Sequence, residues 1–171
     1  MRGSWWCHPL AQTIFRTNEQ LEDHPDVLIT KLVSSKVTFV HRLLWPELVA
    51  IGSERAEWQL KGLSAPARAL LKAVDEQGLL RTDNLAWPNS IKTKPGDAAR
   101  ELEKKLLIVA SQIHTESGAH AKVLETWEHW AERVGGKLKK TSATRAMKSF
   151  EERLESLNME FGAKAKLPWT R

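Results

Sequence analysis

One cysteine, Cys7, in 171 residues leaves no intrachain disulfide to staple the chain. Stability must come from packing, and a reducing cytoplasm is the expected compartment. No run of about 18 apolar residues appears, so no transmembrane helix and no membrane partner are expected. The opening MRGSWWCHPLAQ lacks the apolar stretch and small-residue cleavage site of a secretory signal. The glycine-rich phosphate loop, the G-x-S-x-G elbow and the HExxH zinc motif are all missing. Asp23, Asp26, Asp75 and Asp83 sit singly, with nothing to mark one as a catalytic acid. The chain therefore reads as a binding protein before an enzyme, with no cofactor or metal expected. Tyrosine is absent, yet there are eight tryptophans, at 5, 6, 45, 58, 87, 127, 130 and 169. Their scatter suits core anchors and lids between elements.

Charge is present in excess of one sign, and its placement matters more than its size. The formal charge is +5 and the pI about 9.4. Residues 1–60 carry six Lys/Arg against seven Asp/Glu, residues 61–136 eleven against ten, and residues 137–171 nine against four. The surplus lies in the last segment, where a basic tail suits phosphate contact or is simply solvated.

Periodicity divides the chain into three parts that are expected to pack as one unit: 1–60, 61–136 and 137–171. In the first, residues 8–22 repeat apolar positions at helical spacing until His24-Pro25-Asp26. VLITKLV and KVTFV then alternate as strands around a Ser34-Ser35 turn. A second helix starts near Leu43, holds Pro46 in its first turn and stops at Gly52. This makes a small α-β-β-α unit, marginal in isolation. Residues 53–63 read as a linker.

The second part is more informative. Ser64 caps a helix with Pro66 in its first turn, an apolar stripe of Ala67, Leu70, Leu71 and Val74, and Gly78 at its end. RTDNLAW reads as a short helix ended by Trp87-Pro88. KPGDAARELEKKL reads as a third, with Ala98, Leu102 and Leu106 on one face. LLIVASQIHT and AHAKVLETW follow as a hairpin joined through ESG. LETWEHWAERVG runs on as a helix to Gly135-Gly136. In the third part, Thr141 or Ser142 caps a last helix with Met147, Phe150, Leu154 and Leu157 as its stripe. Gly162 ends it, and AKAKLPWTR reads as a loose basic tail.

Three groups of residues are candidates for function. On the third helix, Lys92, Lys94, Arg100 and Lys104 are placed to meet a polyanion, and Arg100 alone is able to grip guanine with two bonds. The mixed charge of that face, with Glu101 and Lys105 spaced to pair, fits an ordinary solvated helix equally well. At the hairpin, His114 and His120 face each other if the loop is Glu116 to Gly118, with Lys122 beside them. These histidines suit hydrogen bonding within the wing, contact with nucleic acid, or a divalent metal shared with Glu116 and even Cys7 and His8. Trp5 and Trp6 suit a core plug, or a platform for an exposed base. Lys31, Lys36, His41 and Arg42 on the first hairpin suit phosphate contact where they share a face, or the wet face of a half-buried hairpin.

The order helix, short helix, helix, hairpin over residues 63–127 resembles the winged-helix DNA-binding superfamily. GSWWCHP, DVLITKLVSSKVTFVHRLLWP and LLIVASQIHTESGAHAKVLETW resemble bacterial proteins related to the winged-helix DNA glycosylases that unhook interstrand crosslinks. That second resemblance implies a DNA-binding scaffold. It carries no catalytic residue across, because those enzymes use paired polar residues two positions apart, and Gln12, Gln20, Gln59, Gln77 and Gln112 are all isolated here.

The expected architecture is thus α+β: a winged helix of three helices and a β-hairpin wing, an N-terminal α-β-β-α extension and a C-terminal helix. The expected partner is double-stranded DNA, in transcription regulation or repair. Lys92, Lys94, Arg100 and Lys104 would act from the third helix, His114, His120 and Lys122 from the wing. A glycosylase-like repair enzyme and a protein-docking module are the alternatives.

Overall fold

Two apolar cores, divided by a single buried run of chain, organise the protein. The computed structural model describes residues 7–114, 120–134 and 141–170. The elements are α1 (Ala11–Glu22), β1 (Val27–Thr30), β2 (Thr38–His41), α2 (Trp45–Gly52), α3 (Glu57–Leu60), α4 (Ala65–Gln77), β3 (Leu79–Arg81), α5 (Pro95–Lys104), β4 (Val109–His114), β5 (His120–Glu125), α6 (Trp127–Arg133) and α7 (Ala143–Phe161). The architecture is mixed α+β with two small antiparallel sheets, β1-β2 and the three-stranded β3-β5-β4. The N-terminal α-β-β-α order is as the periodicity predicts. No described helix is long and apolar enough to cross a membrane.

The first core gathers Trp45, Leu48 and Ile51 of α2, Trp127 and Trp130 of α6, Ala146, Phe150 and Leu154 of α7, and Leu32 and Val40 of the first hairpin. Trp130 stands edge-on to both Trp45 and Trp127, with centroids 5.0 and 5.9 Å apart. Each such pair adds about 1 kcal/mol to the burial of its rings. The second core joins Ala67, Leu70, Leu71 and Val74 of α4 to Ala98, Ala99 and Leu102 of α5, over Leu80 and Leu124 of the sheet. Between them runs Leu106-Leu107-Ile108-Val109. Leu106 and Val109 face the first core, Leu107 and Ile108 the second. A segment covered on both sides has no wet face, which is why this run is unbroken by polar residues.

Local signals account for the best-formed helices. The Ser64 hydroxyl accepts from the Ala67 N–H, Pro66 lies in the first turn of α4, and Gly78 closes it at φ 73°. Ser142 caps α7, and Gly162 ends it in the left-handed region. Ser34 and Ser35, the predicted turn, both have positive φ.

Four expectations fail. Residues 82–94 contain no helix, so the expected trio reduces to α4 and α5 with an irregular connection. None of residues 82–94 is fully buried, so packing adds little to offset the nucleation of a short helix here, and Pro88 bars its extension. Leu106 does not continue the α5 stripe. The helix ends at Lys104, and Leu106 turns left-handed at φ 52°, into the other core. The supposed linker holds α3 and the fully buried Gln59. Leu157, expected on the α7 stripe, is 48% exposed.

The C-terminal segment is also not a loose tail. Leu167 is buried, Trp169 leans on Trp58 and Phe150, and its Nε1 donates to Glu151. Ser34 and Lys166 exchange two hydrogen bonds, Ser34 N–H to Lys166 O and Lys166 N–H to Ser34 Oγ. Asn158 clamps the backbone of Ala165 through both its amide atoms.

Candidate nucleic-acid interface

α5 buries Ala98, Ala99 and Leu102 and turns Lys94, Asp97, Arg100 and Lys104 to solvent. Lys92 is exposed in the connection just before it. The sequence shows three carboxylates among these cations, and the structure shows where each goes. Glu101 bends back to α4, accepting from the Ser64 N–H at 2.8 Å and the Ser64 hydroxyl at 2.7 Å. Glu103 takes the ammonium of Lys122 on β5, with both side chains largely buried. Asp97 pairs with Arg100 at 2.9 Å. The anticipated Glu101–Lys105 pair does not form. Lys105 instead donates to the carbonyls of Trp58 and Lys61.

Both glutamates are thereby engaged in contacts the fold needs: Glu103 is neutralised by Lys122, while Glu101 keeps its charge but is turned back toward α4. Lys92, Lys94 and Lys104 make no ion pair among the described residues. Arg100 and Asp97 are each more than half exposed, so their pair is weak and readily exchanged for another anion. The result is an outward face of four cations and one carboxylate.

The other predicted residues are distributed differently. Lys122 is spent on Glu103 and is not offered to a ligand. His114 and His120 do face each other in the β4–β5 register, but their side chains, Thr115 to Ala119, and Trp5 and Trp6 lie outside the described residues. No group of three or more His, Cys, Asp or Glu that could hold a metal occurs among the described residues. Cys7 is exposed. On the first hairpin, Arg42 pairs with Asp26 at 3.1 Å.

Three of the single aspartates left open by the sequence are paired with arginines: Asp26 with Arg42, Asp75 with Arg55 and Asp83 with Arg81. Asp83 is held below its usual range by the hydrogen bond from Arg81. Asp75 is raised by burial and by Glu128, against the pull of the Arg55 guanidinium 2.5 Å away. Sequence reading missed the most buried carboxylate among the described residues. Glu125, 2% exposed at the end of β5, accepts two hydrogen bonds from Arg133 and lies 3.0 Å from Nδ1 of His129. Burial pushes its carboxyl up, but the bonds from Arg133 and His129 more than offset this and leave it below the usual range. The same bond raises Arg133. The spacing Glu125, His129, Arg133, every fourth residue into a Thr126-capped helix, was the available signal. This cluster fastens α6 to the sheet.

The α5–β4 corner is clamped as firmly. The Leu106 carbonyl accepts from Trp127 Nε1 at 2.7 Å and from Gln59 Nε2 at 3.3 Å, and Gln59 also donates to the Lys105 carbonyl. These bonds hold a leucine in left-handed backbone, which by itself costs about 1 kcal/mol. They fix the C-terminal end of α5 against both cores.

The chain matches no protein-family model, and comparison with curated proteins and with solved structures returns no match.

Proposed function

We propose that the protein binds duplex DNA through a winged-helix module running from α4 to β5, in regulation or repair. The order helix, strand, helix, strand, strand, with the first strand pairing the third, suits that module. An irregular connection stands in place of its second helix. The observation that carries the proposal is the charge accounting on α5. Its flanking glutamates are drawn into Ser64 and Lys122, while Lys92, Lys94, Arg100 and Lys104 remain outward. Such a face matches phosphates along a groove, with Arg100 able to trade Asp97 for a base edge.

The test is a salt series of duplex binding by fluorescence anisotropy. Affinity should fall linearly on logarithmic axes between about 50 and 200 mM salt, and the Lys92→Ala/Lys94→Ala/Lys104→Ala variant should flatten the slope by about 3 if each lysine meets one phosphate. No binding at low salt, or an unchanged slope in the variant, overturns the proposal.

A further inference from the structure

The connection between β3 and α5 carries an aromatic side chain that the fold does not fully use. Trp45, Trp127 and Trp130 are sunk in the first core, whereas Trp87 is half-buried against the edge of the second. Its indole N–H is already satisfied, donating to the Thr93 carbonyl at 2.8 Å. That bond closes residues 87–93 into a loop, tightened by the Ile91 N–H donating to the Pro88 carbonyl. A tryptophan with its one polar atom satisfied within its own loop has only ring surface left to offer. Lys92 and Lys94 emerge exposed and without an ion pair among the described residues. The one carboxylate of the connection, Asp83, is bound to Arg81. The loop thus combines a held aromatic ring with two unpaired cations, directly before the helix proposed to meet DNA.

We infer that Trp87 stacks on an unpaired nucleobase, so that the preferred ligand is a duplex next to a single-stranded stretch. This rests on the DNA-binding reading of α5 and narrows it. Ring stacking tolerates any base, while lysines on the same loop hold the adjoining phosphates. A fully paired duplex offers an internal base only at the cost of unstacking it, whereas a junction presents one already free. Trp87 therefore contributes selectivity for DNA structure, and the cations of the connection and of α5 contribute general affinity.

The experiment compares two labelled DNAs of equal length, one fully paired and one with a single-stranded overhang, in the full chain. The unaltered protein should favour the overhang roughly tenfold, the scale of one base–aromatic stack. Trp87→Leu keeps apolar packing and removes the stacking face, so it should lose that preference while retaining binding to the paired duplex. Trp87→Phe should keep most of the preference. Far-ultraviolet circular dichroism and thermal melting establish that both variants fold. Equal affinity of the unaltered protein for the two DNAs, or an undiminished preference in Trp87→Leu, overturns the inference and leaves the α5 reading standing. Loss of all DNA binding in the unaltered protein removes both together.

Discussion

Gly52→Ala is the sharpest test of how the first core is held. Gly52 closes α2 with ordinary helical backbone and is buried. By helix propensity alone, alanine there would add about 1 kcal/mol of stability. A methyl group at this position would, however, fall on Nε1, Cδ1 and Cε2 of Trp127, all well inside the 3.0 Å that real Cβ contacts respect. Restoring ordinary contact moves the indole by well over an ångström. That breaks its 2.7 Å bond to the Leu106 carbonyl and disturbs its edge contact with Trp130. The Leu106 carbonyl keeps Gln59 as a donor, but the indole N–H is left buried and unpaired. An orphaned donor costs about 1–3 kcal/mol, and overpacking about as much again. After the propensity gain is set against these costs, the net loss should be about 3 kcal/mol, a large share of a domain's usual 5–15. Urea denaturation read by far-ultraviolet circular dichroism measures it, with an unchanged m-value as the check on two-state behaviour. Trp127→Phe removes the offending ring edge, so in that background Gly52→Ala should cost at least about 2 kcal/mol less. A Gly52→Ala protein as stable as the parent, or strict additivity with Trp127→Phe, refutes the packing argument.

Gln59→Met preserves volume but orphans the Ala56 N–H and the Lys105 carbonyl, so it should cost about 2–3 kcal/mol by the same denaturation assay. Stability equal to the parent's would show that the corner needs no clamp. Glu125 ionises more readily folded than unfolded, so its contribution is fully present above the ordinary carboxylate value of 4.5 and is lost as pH falls through the lower folded value. Glu125→Gln should therefore lower stability at neutral pH by about 2 kcal/mol and shrink the difference from the parent under acid, as followed by denaturation at stepped pH. Leu167→Ala should cost about 2–4 kcal/mol if the C-terminal segment is truly docked; a melting temperature unchanged from the parent would return it to a loose tail.

What the sequence made legible was local, and what it hid was remote. α4 was readable from Ser64, Pro66 and Gly78 because its cap, first turn and stop lie within the helix or beside it. The C-terminal segment was not, because its partners are Ser34, 132 residues away, and Trp58. Composition sees only lysines there, while Leu167 and Trp169 do the anchoring. Leu106 obeys helical spacing and still leaves the helix, since a buried corner with two side-chain donors, Trp127 Nε1 and Gln59 Nε2, can hold left-handed backbone that no periodicity reveals. The site residues divide likewise. Lys94, Arg100 and Lys104 were placed outward by the α5 stripe itself. The engagement of Lys122 with Glu103 depends on the register of β5 against α5, which the strand pattern leaves open.

That engagement links the fold to the surface it offers. Glu103 stabilises the packing of α5 on the sheet by holding Lys122, and in doing so withholds a cation from the outward face. Glu103→Gln separates the two effects. The pair is more than three-quarters buried on both sides, so its loss should lower stability by about 1–3 kcal/mol. The same change removes a negative charge beside the proposed interface and frees the Lys122 ammonium. If α5 meets phosphates, the less stable protein should bind duplex DNA more tightly, by several-fold at low salt, and its salt slope should steepen by about 0.9 for one added phosphate contact. A merely solvated helix face predicts the loss of stability with no change in affinity or slope. Stability falling as affinity rises is thus the signature that α5 serves two ends, and anisotropy and denaturation on one variant decide it.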